Sequence, residues 1–223
     1  MLTMQRKERN LKLMLETGIV AVIRAQSSEQ LVDVSYALLE GGVKAMEVTM
    51  TTPNALEVIH EVSQRMKNEE AVIGVGTVLD PETARAAILA GAEFSVSPTL
   101  NRAVIEVCRR YTVVSIPGAF SPTEILAAWE AGADIVKVFP ATSLGPNYFK
   151  DILGPFPQVR LSPTGGVSLE TVADFIKAGA CCVAVGGNLV SKKALGEKNW
   201  KTITETAKEF IKRIQEARGE KKG

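Results

Sequence analysis

A unit recurs along this chain: an amphipathic helical stretch, a glycine, then a short apolar run. It stands at residues 37–42 before 44–48, at 88–92 before 93–96, at 127–133 before 134–138 and at 175–180 before 181–185. Each glycine suits the left-handed backbone that ends a helix. The runs that follow are β-branched and apolar, as strands buried on both faces should be. Further runs at 19–23, 72–75, 112–116 and 158–162 bring the expected strands to eight. Ser27–Ser28, Thr52–Pro53, Asp80–Pro81, Ser121–Pro122 and Ser168 read as helix starts between them.

Strands alternating with helices in this way fold as a closed barrel or as an open doubly wound sheet. The open sheet normally carries a Gly-x-Gly-x-x-Gly turn after its first strand. Here the first strand runs into Arg24–Ala25–Gln26, without glycine, and the glycine-rich turns follow strands seven and eight. Barrels bind phosphate at that place. The expectation is a single α/β domain over residues 1–223, a (β/α)8 TIM barrel, with a helix over residues 5–17 capping its N-terminal face. The length of 223 residues suits one barrel.

A net charge of +1 gives no strong field to recruit nucleic acid or an anionic membrane. No apolar run reaches the roughly 20 residues of a membrane span, and the polar first ten residues lack a signal-peptide core. Cys108, Cys181 and Cys182 show no metal-ligand spacing and read as buried thiols, which fits a reducing cytoplasm. The basic end, residues 218–223, reads as a solvated tail.

Barrel chemistry collects at the C-terminal ends of the strands. Lys137 stands there in the apolar stretch Ile135–Val136–Lys137–Val138–Phe139–Pro140. Burial disfavours the charged ammonium, and a neutral amine attacks a ketone to form a Schiff base. A lysine ion-paired for packing, or snorkelling outward, is the plainer alternative. Glu47, in Ala45–Met46–Glu47–Val48–Thr49, is placed to pair with Lys137 and transfer protons. A purely structural Lys–Glu pair has the same pattern.

Thr164–Gly165–Gly166–Val167–Ser168 leads from strand seven toward a helix, and Gly186–Gly187–Asn188 follows strand eight. Such glycines let backbone N–H groups approach a phosphate; tight turns alone are the alternative. His60, the one histidine, reads as a surface residue of a helix. Glu93 and Asp134 begin strands, at the end away from the chemistry. Trp129 and Trp200 read as helix-packing residues.

Through Glu47–Val48–Thr49, Gly74–Val75–Gly76–Thr77–Val78, Phe94–Ser95–Val96–Ser97–Pro98, Lys137–Val138–Phe139–Pro140 and Pro163–Thr164–Gly165–Gly166–Val167, the chain resembles the 2-keto-3-deoxy-6-phosphogluconate (KDPG)/4-hydroxy-2-oxoglutarate (KHG) aldolase family. The resemblance spans residues 18–190 or thereabouts, with the five motifs in order. It implies a class I aldolase of the Entner-Doudoroff pathway, with Lys137 as the Schiff-base lysine and Glu47 as general acid/base. It makes Thr77 and Pro98 pyruvyl-pocket residues and Phe139 a wall beside the imine. Thr164 touches the substrate chain, and Gly165, Gly166, Gly186 and Gly187 cradle its phosphate. It implies a homotrimer acting on a phosphorylated keto acid without metal or cofactor.

Two departures stand out. Thr51 occupies the place of an arginine common after Glu-Val-Thr, so Arg24 is expected to supply the cation for the substrate carboxylate, with Thr49 and Thr51 beside it. Asn188 stands where serine is common, and its amide is expected to donate to the phosphate. Two competing functions stay open: a phosphate-binding isomerase or epimerase, and a non-catalytic sugar-acid sensor.

Overall fold

The computed structural model describes residues 2–24 and 27–219. Ala25 and Gln26, read above as a glycine-free turn, lie outside the described residues, as do residues 220–223 of the expected tail. Arg218 is not frayed: its guanidinium donates to the carbonyls of Leu15, Glu16 and Cys181.

Helix α1 (Leu2–Thr17) precedes strand β1 (Ile19–Ile23). Then come α2 (Ser28–Glu40), β2 (Ala45–Thr49), α3 (Ala55–Arg65), β3 (Val72–Gly76) and α4 (Pro81–Ala90). Next are β4 (Phe94–Val96), α5 (Arg102–Arg110), β5 (Val114–Ile116), β6 (Gly118–Ala119) and α6 (Pro122–Glu130). The last part holds β7 (Val136–Val138), α7 (Gly145–Leu153), β8 (Leu161–Pro163), α8 (Val172–Lys177), β9 (Val183–Val185), α9 (Lys192–Gly196) and α10 (Trp200–Arg218). No helix among the described residues is long and apolar enough to cross a membrane.

Each expected run overlaps a strand, and a short extra strand, β6, follows the fifth run. Pro117 separates β5 from β6 and has no N–H to give a ladder. All pairings are parallel, in one sheet ordered β5-β4-β3-β2-β1-β9 and another ordered β6-β7-β8. Backbone bonds cross both seams. Lys137 N–H donates to Pro117 (2.9 Å), Cys181 N–H donates to Leu161 (2.9 Å), and Thr164 bridges to Ala184. The result is an α/β fold with a curled parallel sheet.

Side chains alternate between the two faces of the curl. Ile19, Ala21, Ile23, Met46 and Val75 face the helices and pack with Leu31, Leu38, Ile59 and Val62. Val20, Val22, Val72, Phe94, Val96, Ile116, Ile135 and Cys182 form the inner cluster, which Leu13 and Met14 of α1 join. Both faces are buried, so the strands read as largely apolar runs. Full burial of each large side chain contributes about 1.5–3 kcal/mol.

Local chemistry sets most helix ends. Ser27 and Asp80 accept from the N–H groups of Gln30 and Thr83, and Ser121 with Glu124 makes a capping box. Two expected starts differ. Helix α3 begins after Asn54, which has φ 53° and gives no side-chain cap, rather than at Thr52–Pro53. Helix α8 begins after Thr171, whose hydroxyl is occupied by the Ser168 N–H and the Gly166 carbonyl.

Glu93 and Asp134 lie at the N-terminal ends of their strands. There Arg6 and Asn10 bond Glu93, and Lys7 pairs with Asp134 at 2.9 Å. His60 is exposed. Trp129 and Trp200 are half-buried against the outer core. Cys108 and Cys182 are buried, and Cys181 is half-buried.

Candidate active site

Lys137 and Glu47 both point into the curl from β7 and β2. They are 6% and 2% exposed, an unusual depth for charged side chains. The neighbours of Lys137 in register are Gly118 and Ser162, both small, so the amine is not crowded within the sheet. Its Nζ lies 4.8 Å from the centre of the Phe139 ring, the wall expected two residues further on.

Burial holds the Lys137 amine below the ordinary lysine range; Glu47 opposes that shift and Arg24 adds to it. Burial pushes the Glu47 carboxyl up, against the pull of Lys137 and Arg24. The pair is coupled through space, and no hydrogen bond or direct ion pair joins amine to carboxylate. Burial thus disfavours the charged form of each group, and the gap between them leaves room for a third partner. A lysine here can attack a carbonyl, and a carboxyl here can take and return a proton.

Arg24, exposed at the end of β1, lines one cavity with Phe139, Thr164, Gly165, Gly166, Gly186, Gly187 and Asn188. Its volume is about 270 Å³. Gly165 and Gly166 are left-handed, with φ 88° and 72°, so the loop turns its backbone where a side chain would be strained. A Cβ on Gly187 would meet nothing, which leaves that side open to a ligand. The Thr164 hydroxyl is buried at this cavity and has no hydrogen-bond partner. Asn188 differs from expectation. Its amide does not point free toward a phosphate but donates to the Val167 carbonyl at 2.7 Å, tying the two glycine loops together.

Thr49 ends β2, Thr51, Thr77 and Pro98 follow β2, β3 and β4, and none of the four lines that cavity. The Thr49 and Thr51 hydroxyls bond each other at 2.8 Å. Thr77 is a non-glycine residue at φ 60°, a strained conformation that functional sites often hold. Pro98 packs against Gly118 so closely that a Cβ there would sit 2.8 Å from the Ser97 oxygen and overlap Pro98 itself.

Sequence reasoning gave no role to two residues: Ser162, in register with Lys137, and Gly76, over which the Glu47 side chain lies. The signal for Gly76 was available, since a glycine inside a strand marks a close approach.

A curled α/β sheet with a desolvated lysine and carboxyl near its C-terminal rim, beside a glycine-lined cavity, defines an enzyme of small anionic carbonyl compounds. The family described as KDPG and KHG aldolase matches residues 11–206. The 2-dehydro-3-deoxy-phosphogluconate aldolase of Pseudomonas aeruginosa is 36% identical, the match covering 91% of this chain and 92% of that one. The KHG/KDPG aldolase of Escherichia coli K12 is 34% identical over 88% and 92%. Among solved structures, a native KDPGal structure superposes with a TM-score of 0.84 at 27% identity, covering 90% of this chain and 96% of that one. A KDPG aldolase from Legionella pneumophila, with pyruvate captured as a covalent carbinolamine, superposes at 0.82 with 29% identity over 89% and 96%. This chain belongs to the KDPG and KHG aldolase family.

Proposed function

We propose that this protein is a class I aldolase that cleaves 2-keto-3-deoxy-6-phosphogluconate to pyruvate and glyceraldehyde 3-phosphate, with 4-hydroxy-2-oxoglutarate as a second substrate. The observation that carries this reading is the buried amine of Lys137, held toward neutrality and facing Glu47 without pairing to it.

The neutral Nζ attacks the C2 ketone to give a carbinolamine, and the Glu47 carboxyl gives a proton to its hydroxyl, which leaves as water to form a protonated imine. Glu47, through a water, takes the proton of the C4 hydroxyl. The C3–C4 bond breaks and its electron pair flows into the iminium. The phosphorylated aldehyde leaves and an enamine remains. C3 of the enamine takes a proton, and water hydrolyses the imine to release pyruvate and free lysine.

Arg24 holds the substrate carboxylate, in place of the cation that Thr51 does not supply, with Thr49, Thr51, Thr77 and Pro98 lining the pyruvyl end and Phe139 walling the imine. Thr164 contacts the chain of the substrate. Gly165, Gly166, Gly186 and Gly187 receive the phosphate on backbone N–H groups, with Asn188 bracing them. The cavity these residues line with Arg24, and the unpartnered Thr164 hydroxyl, support this arrangement.

The scaffold is one domain over residues 1–223, a closed (β/α)8 barrel with α1 as its N-terminal cap. The seam bonds at Pro117, Leu161 and Thr164 support closure, and the ties of α1 to Glu93 and Asp134 support the cap. It works as a homotrimer in the cytoplasm.

Incubation with pyruvate and borohydride, followed by peptide mass spectrometry, tests the chemistry. A reduced adduct on Lys137 is expected. An active protein with no adduct is an isomerase or epimerase, and binding without adduct or turnover makes it a sensor.

A further inference from the structure

We propose that Gly76 is the positioning residue for Glu47: its missing side chain is the socket that holds the carboxylate against β3 and out of direct ion pairing with Lys137. The proposal rests on the roles given above to Lys137 and Glu47, and it adds the device that keeps them apart.

In register, Glu47 stands beside Gly74, and Thr49 stands beside Gly76. The Glu47 side chain leans forward along the neighbouring strand until its end lies over Gly76. A Cβ built on Gly76 overlaps the Glu47 carboxyl and comes within 2.6 Å of its Cγ. The space above Gly74 is filled differently, by the ring of Phe94. Two glycines on the inner face of one strand thus admit two different side chains.

The backbone gives no reason for glycine at position 76. Its φ is not among the left-handed values of this chain, and it pairs in an ordinary parallel ladder. Glycine inside a strand weakens it, and its usual justification is the close approach of another group. Here that group is the Glu47 carboxylate.

A side chain at position 76 must push the carboxylate off β3 into the curl, where its electrostatic partners Lys137 and Arg24 stand. Direct pairing then favours the ammonium form of Lys137 and removes the nucleophile. It also moves the proton-transfer group away from the substrate hydroxyl.

The test compares Gly76→Ala, Glu47→Ala and the double variant with the unaltered protein. It reads kcat and KM, the pH profile of pyruvate trapping by borohydride at Lys137, and urea denaturation. Gly76→Ala is expected to lower kcat roughly 100-fold, the scale of a misplaced acid–base group. Its trapping profile should rise about one pH unit, the effect of a close opposite charge. In the Glu47→Ala background the same substitution should change trapping less than about threefold and cost little stability, since additivity fails only for groups that touch.

If Gly76→Ala does not fold but the double variant does, the clash with Glu47 is demonstrated directly. The proposal is overturned if Gly76→Ala keeps near-normal kcat and an unmoved profile. It is also overturned if the penalty is the same in both backgrounds, or if neither variant folds. Failure of the unaltered protein to trap pyruvate would sink the aldolase reading instead, while the denaturation comparison still decides the socket.

Discussion

The side-chain amide of Asn188 donates a 2.7 Å hydrogen bond to the backbone carbonyl of Val167. It thereby fixes the loop after β9 to the loop after β8, and both loops line the cavity assigned to the phosphate. A bond of this kind contributes about 1 kcal/mol. Asn188→Ala should therefore raise KM for the phosphorylated substrate roughly 5-fold with little change in kcat. KM for unphosphorylated 4-hydroxy-2-oxoglutarate should stay put. Steady-state kinetics on both substrates checks this, and equal losses on the two would contradict it.

Glu47→Gln should separate catalysis from stability. Turnover should fall by about two to four orders of magnitude, the usual contribution of a proton-transfer group. Stability should move the other way at neutral pH. The folded carboxyl is raised above its ordinary value of 4.5, so its favourable contribution is complete below that value and is lost as pH rises through the folded one. The stability advantage of Glu47→Gln over the parent should accordingly grow with pH across that window. Urea denaturation at a series of pH values reads it; an advantage that shrinks with rising pH would be the wrong sign.

Lys137 has the opposite linkage. Its folded amine lies below the ordinary 10.5, so its contribution is complete above 10.5 and is lost as pH falls through the folded value. Lys137→Met should abolish pyruvate trapping and turnover. It should also gain stability relative to the parent as pH is lowered from the alkaline side. Residual borohydride adduct in this variant would show that another amine carries the chemistry.

Arg24→Ala should weaken the hold on the keto-acid carboxylate. Loss of a charged hydrogen bond, about 1.5–3 kcal/mol, corresponds to a rise in KM of roughly 10- to 100-fold for pyruvate-containing substrates. Arg24 also depresses the charged form of Lys137 and favours that of Glu47. The trapping profile of the variant should therefore shift to higher pH. An unchanged KM would remove Arg24 from the site.

Phe94→Ala should test the inner core. The ring is fully buried and fills the space left by Gly74. Its removal should cost about 3–5 kcal/mol in chemical denaturation. A loss under about 1 kcal/mol would mean that the curl collapses onto the gap far better than a packed interior should.

Much of this molecule was legible in one dimension because its determinants are local. Apolar runs such as 19–23 and 72–75 follow from burial on both faces, and Ser27, Asp80 and Ser121 announce helix starts through their own hydroxyl or carboxylate oxygens. Lys137 and Glu47 stood out because a charge in such a run is costly without a use. The latch from Asn188 and the seat of Glu47 over Gly76 depend on groups far apart in sequence. Which groups meet is decided by strand register and the curl of the sheet, and a linear pattern carries neither.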